Sequence, residues 1–134
     1  MACATHLLTS KEVVIKCIDL SSSDKLDVAR ADKEIRLLQE VRGLPNVVEI
    51  YENVSNPPFN YIIMESLVGG TLFERLENRL FSEQESKCAI KSILTGLSNI
   101  HSKNVIHHNV SLDNISFSTT DASEGLKLIG YSLA

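Results

Sequence analysis

Two short stretches hold most of the groups that could do chemistry. Val105-Ile106-His107-His108-Asn109-Val110-Ser111-Leu112-Asp113-Asn114 gathers imidazoles, amides, a hydroxyl and a carboxyl, and Gly130-Tyr131-Ser132 follows one short hairpin later. The amides of Asn109 and Asn114 donate and accept hydrogen bonds but are not basic enough to take a proton. A neutral amide oxygen alone is also a weaker seat for a hard divalent cation than a carboxylate. His101, His107 and His108 lack the carboxylate or thiolate partners of a metal set, so a structural role is the simpler reading. Asp113 and Asp121 are the carboxylates a cation near Gly130 would have to recruit. Far upstream, Lys16 and Glu34 offer one cation and one anion whose pairing could tie two elements together.

These groups need a frame. Val13 to Ile18 is a β-branched run and reads as a strand, broken by Ser21-Ser22-Ser23-Asp24. Val28, Ala31, Ile35 and Leu38 recur at helical spacing, which predicts an amphipathic helix from about Asp27 to Val41, stopped by Gly43-Leu44-Pro45-Asn46. Val47 to Tyr51 and Tyr61 to Met64 read as strands around a turn at Ser55-Asn56-Pro57-Pro58. Two capping boxes, Thr71-Leu72-Phe73-Glu74 and Ser82-Glu83-Gln84-Glu85, open a short helix and the longest one. On the latter, Ile90, Ile93, Leu94, Leu97 and Ile100 form one apolar stripe near which Cys88 should be buried. Glu74, Arg75, Glu77 and Arg79 read as a solvated face. Val105-Ile106, Ile115 to Phe117 and Leu126 to Ile129 are short strand candidates, and the whole is an α+β pattern.

Composition narrows the class. At 134 residues, 43% hydrophobic and 22% charged, the chain fits one folded domain. A net charge of −4 argues against a phosphate-binding surface for nucleic acid. No run approaches the roughly 18 apolar residues of a membrane span, and the N-terminus lacks a basic start followed by an apolar core. Cys3, Cys17 and Cys88 are odd in number and widely spaced, as expected of reduced thiols in a cytoplasmic protein.

The order of these strings resembles a Ser/Thr protein kinase, nearest to the calcium/calmodulin-dependent group. Val13-Val14-Ile15-Lys16 is similar to the strand of the phosphate-binding lysine. Glu34, in Lys33-Glu34-Ile35-Arg36-Leu37-Leu38, sits where the family's helix-C glutamate pairs with it. Leu44-Pro45-Asn46-Val47-Val48 resembles the His-Pro-Asn-Ile-Val stretch. Tyr61-Ile62-Ile63-Met64-Glu65 resembles the strand that ends in gatekeeper (Met64) and hinge (Glu65), with Gly69 to Leu76 matching the segment beyond. His107-His108-Asn109 stands where the family has His-Arg-Asp, and Gly130-Tyr131-Ser132 where it has Asp-Phe-Gly. The resemblance implies a partial kinase-like domain over 1–134: a small lobe over about 1–64, then the hinge and first part of the large lobe over 65–134. The family's glycine-rich loop, first strand, activation segment and remaining large-lobe helices have no counterpart here.

It also implies a chemistry whose key groups are changed. Kinases act by positioning and charge neutralisation. Asn109 replaces the catalytic aspartate, a loss worth roughly 10²- to 10⁴-fold in rate. Ser111 replaces the phosphate-steadying lysine, and Gly130 removes the metal-binding carboxylate, leaving Asn114 as the one metal-side ligand. The ATP site is degenerate too: Lys16, Glu34, Met64 and Glu65 remain, Val14 replaces a smaller alanine, Ser116 an apolar floor, and Thr71 a glutamate. Leu38, Ile50, His107 and Tyr131 keep the family's packing spine. The expectation is therefore a catalytically impaired kinase-like module that regulates or scaffolds. No cofactor is expected to bind tightly. The alternatives are a divergent, weakly active ATP- and Mg²⁺-dependent kinase, or a non-functional fragment of a larger one. Its partner would be a protein, with a kinase or a kinase substrate among the candidates, or a second copy meeting exposed apolar surface. Neither nucleic acid nor membrane is expected.

Overall fold

The β-branched run from Val13 to Ile18 produces a strand that is central to the small lobe. In the computed structural model, β1 (Ala2–Thr5), β2 (Glu12–Asp19), β4 (Phe59–Glu65) and β3 (Ile50–Asn56) form an antiparallel sheet in the order β1-β2-β4-β3. The structure describes residues 2–5, 10, 12–21, 25–121 and 125–130, without the side chains of residues 2, 3, 25–28 and 31. The expected inward positions Val28 and Ala31, and the Tyr131-Ser132 pair, lie outside that description. Partners across an antiparallel ladder share a face. Lys16 therefore sits beside Ile62, and Val14 beside Met64, on the face covered by α1 (Lys25–Glu40).

Ile35 and Leu38 of α1 pack with Ile50 and Ile62 of the sheet, and with Ile100 and Val105 from beyond it, in one buried cluster. A second cluster joins Leu72, Ile115, Phe117, Leu126 and Leu128. It is enclosed by α2 (Leu72–Asn78), α3 (Glu83–His101) and the hairpin of β5 (Ile115–Phe117) with β6 (Leu126–Leu128). Both predicted capping boxes form, at Thr71 with Glu74 and at Ser82 with Glu85.

Four expectations need correction. Of the expected strand Val47 to Tyr51 only Ile50 and Tyr51 are strand; β3 starts at Ile50 and Val47 makes an isolated bridge to Leu128. The reason is that the backbone of 46–48 is spent on β6: Leu128 N–H donates to Asn46 O (2.9 Å) and Val48 N–H to Leu128 O (3.1 Å). Val105-Ile106 is not a strand either. Asn104 takes a left-handed turn (φ 57°) and Val105 N–H closes α3 by donating to Ile100 O at 3.1 Å, an end that satisfies orphan carbonyls. The α3 stripe is split. At about 100° per residue it is wide, and its neighbours cover Ile93, Leu97 and Ile100 but leave Ile90 and Leu94 56% and 60% exposed. Cys88, beside it, is half-buried rather than buried.

Candidate functional site

Lys16 comes from the middle of β2 and Glu34 from α1, so their meeting depends on how the helix lies on the sheet. Lys16 Nζ donates to both carboxylate oxygens of Glu34, at 2.7 and 2.6 Å. Glu34 is buried, and a buried carboxylate needs such a partner.

Across the cleft, His107 is fully buried while His108 beside it is exposed in a left-handed turn (φ 63°). Asn109 N–H donates to His107 Nδ1 (3.3 Å), which leaves Nε2–H to donate to Ile129 O (2.8 Å). The ring thus ties the loop to the segment before Gly130. Burial holds the His107 pKa below its ordinary 6.5, only partly offset by the bond to Ile129 O. The unfolded chain therefore binds that proton more readily. The stabilisation is complete above about pH 6.5 and is lost as pH falls below it. Melting temperatures taken from about pH 7.5 to about pH 5 are expected to fall more steeply for wild type than for His107→Gln; equal slopes would place the acid sensitivity elsewhere.

Asn114 is held on every side. Its N–H donates to Ser111 O (3.1 Å), its carbonyl accepts from Ile129 N–H (3.0 Å), and its Nδ2 donates to Asn109 O (3.0 Å). Its side chain also lies over Gly130: a Cβ built on Gly130 would stand 2.3 Å from Asn114 Oδ1. Asn109, Ser111, Asn114 and Gly130 thus come together around one point, with Lys16 and Glu34 in the facing lobe. Leu38 and Ile50 are buried in one cluster, and His107 is buried as well.

The remaining predicted site residues are engaged by the chain itself. Ser116 is buried and its hydroxyl donates to Gly70 O at 2.9 Å. Thr71, bridged to Ser116, caps α2. Met64 packs against the first core cluster. Glu65 directs its carboxylate at Lys127 and at the backbone of Glu49. Val14 lines a cleft of about 580 Å³ together with Ala4, Glu12, Ser66 and Leu67. Among the described residues no group of three or more His, Cys, Asp or Glu side chains could hold a metal ion.

Two residues escaped the sequence reading. Arg75 is not part of a solvated face. It donates to the carbonyls of Gly69, Thr119 and Asp121, and its guanidinium stacks on Phe117 at 3.7 Å from the ring centroid. Lys127 pairs with Glu65 across 62 positions of sequence. Neither had a local signal, because each partner is supplied by a different part of the fold.

The fold is that of a partial kinase domain, and comparison agrees. The protein kinase domain model matches residues 2–134, and the chain belongs to that family. It is 32% identical over 133 residues to a probable serine/threonine-protein kinase 2 of Plasmodium falciparum, covering 97% of this chain and 25% of that one. It is 31% identical over 107 residues to a putative ribosomal protein S6 kinase alpha-2 of Caenorhabditis elegans, covering 79% of this chain and 14% of that one. A calcium/calmodulin-dependent protein kinase type II of Caenorhabditis briggsae is 26% identical over 130 residues, covering 96% and 24%. The chain thus spans a quarter or less of the length of these curated relatives. No helix among the described residues is long and apolar enough to cross a membrane.

Proposed function

We propose that this chain is a kinase-like binding module that does not transfer phosphate. The observation that carries the reading is the pair Asn109 and Gly130, which leaves the cleft without a general base and without a metal carboxylate. The donors present do not fit a magnesium nucleotide. Asn114 is a neutral ligand whose Nδ2 is bonded to Asn109 O, and its side chain fills the space above Gly130. Binding is favoured by the apolar side chains left in solvent, Ile90 and Leu94 on α3 and Leu80 before it. The partner is a protein in the cytoplasm, a kinase or kinase substrate among the candidates, or a second copy of the chain.

The intact Lys16–Glu34 pair supports a second reading, a divergent kinase of weak activity. One assay separates the two. With Mg²⁺ or Mn²⁺, ATP and a generic basic peptide, phosphate incorporation is expected to equal that of a Lys16→Ala variant, with no thermal shift at millimolar ATP·Mg. Turnover that Lys16→Ala abolishes would overturn the binding-module reading.

A further inference from the structure

One carboxylate stands where the two lobes meet. Oε1 of Glu65, at the end of β4, accepts from Glu49 N–H at 2.6 Å and from Lys127 Nζ of β6 at 2.5 Å. The two side chains are 12% and 24% exposed, so water screens the pair weakly. Glu65 N–H also donates to Glu49 O (3.0 Å), which fixes residue 65 to residue 49 from both ends before the lysine is added. The Glu49 carboxylate is engaged elsewhere, with Gly43 N–H and Arg42, and does not compete for Lys127. The ion pairs Lys16–Glu34, Arg42–Glu49, Arg79–Glu85 and Lys87–Glu83 each stay within one lobe; Lys127–Glu65 joins β6 of the large lobe to the last residue of β4, where the small-lobe sheet runs into the hinge. Around it runs a set of bonds that join the segment 45–48 to α3 and to β6. These are Val48 N–H to Leu128 O, Leu128 N–H to Asn46 O, Asn46 Nδ2 to Leu126 O and Asn99 Nδ2 to Pro45 O.

We propose that the Glu65–Lys127 pair is a staple that fixes the angle between the lobes without any ligand. The chain then presents one rigid frame whether or not its cleft is filled. The inference goes beyond the loss of catalysis, since a chain that transferred phosphate could carry the same staple. Its outcome is therefore separate from that of the phosphotransfer assay.

Hydrogen exchange on the full chain reads the staple directly, because the Val48 and Leu128 amides donate across the junction. In Lys127→Met their exchange is expected to rise roughly tenfold, while amides within the β2–β4 ladder change less than about threefold. Millimolar ATP·Mg added to wild type is expected to change neither set. If Lys127→Met does not fold, the double variant Glu65→Met/Lys127→Met removes the charges without leaving one buried alone, and the same local rise is expected of it. Unchanged exchange at Val48 and Leu128 in a folded variant overturns the proposal. So does an equal rise throughout the ladder, which would make the pair a general stabiliser, and so does wild-type protection that increases with ATP·Mg.

Discussion

Replacing Gly130 with aspartate is expected to lower stability by about 2–3 kcal/mol. Even combined with Asn109→Asp, it should yield no Mg²⁺-dependent phosphotransfer above the Lys16→Ala background. The chain at Gly130 is left-handed (φ 83°), a conformation that costs a residue with a Cβ roughly 1–2 kcal/mol. The new Cβ would also stand 2.3 Å from Asn114 Oδ1 and 2.6 Å from Cγ, so the amide must turn away. Turning releases the bond from Asn114 Nδ2 to Asn109 O, worth about 1 kcal/mol. Gly43→Asp is the control, because φ is 76° there but nothing lies within 4 Å of the added Cβ. Denaturant titration should show the backbone cost alone at Gly43 and the larger loss at Gly130. Equal losses would mean that Asn114 yields freely. Phosphotransfer by the double variant would mean that two carboxylates suffice despite Ser111 and Ser116.

Gly69→Ala is expected to cost about 3 kcal/mol, the sum of overpacking and one lost backbone bond. In a chain of this size that lowers the melting temperature by roughly 10–15 °C. Gly69 is not in the left-handed region; the cost is contact. A Cβ on Gly69 would lie 1.9 Å from Thr119 O and 2.7 Å from both Arg75 Nη2 and Phe117 Cβ. Thr119 O cannot retreat alone, because Arg75 binds it together with the carbonyls of Gly69 and Asp121. Moving the strand away breaks Gly69 N–H to Phe117 O (2.9 Å) and loosens Phe117, a fully buried side chain of the second cluster. A calorimetric scan within about 0.5 kcal/mol of wild type would show that this junction is softer than its contacts imply.

Much of this was legible in the order of residues. The capping boxes at Thr71 and Ser82 are local hydrogen-bond patterns, written within four residues and formed as read. The helix around Ile35 and Leu38 follows from apolar period, and the strand around Val13 from a β-branched run. The family frame follows from several short strings in order, and the presence of Asn109 and Gly130 is a fact of the chain alone. Boundaries failed where a backbone group is claimed by a distant strand. Val47 and Val48 carry the residue types of a strand, yet their segment pairs with Leu128 and not with the sheet.

What the sequence by itself determined is which chemical groups exist: a lysine and a glutamate to pair, the amides of Asn109 and Asn114, and a glycine without a side chain at position 130. Only the tertiary structure decided what those groups do to one another. Asn114 settling over Gly130, Arg75 gathering three carbonyls against Phe117, and Glu65 meeting Lys127 all join residues whose separation along the chain carries no periodic signal. The physical reason is that types and short spacings act through the local backbone. Burial and charge pairing instead depend on which surfaces the folded chain brings within a few ångströms.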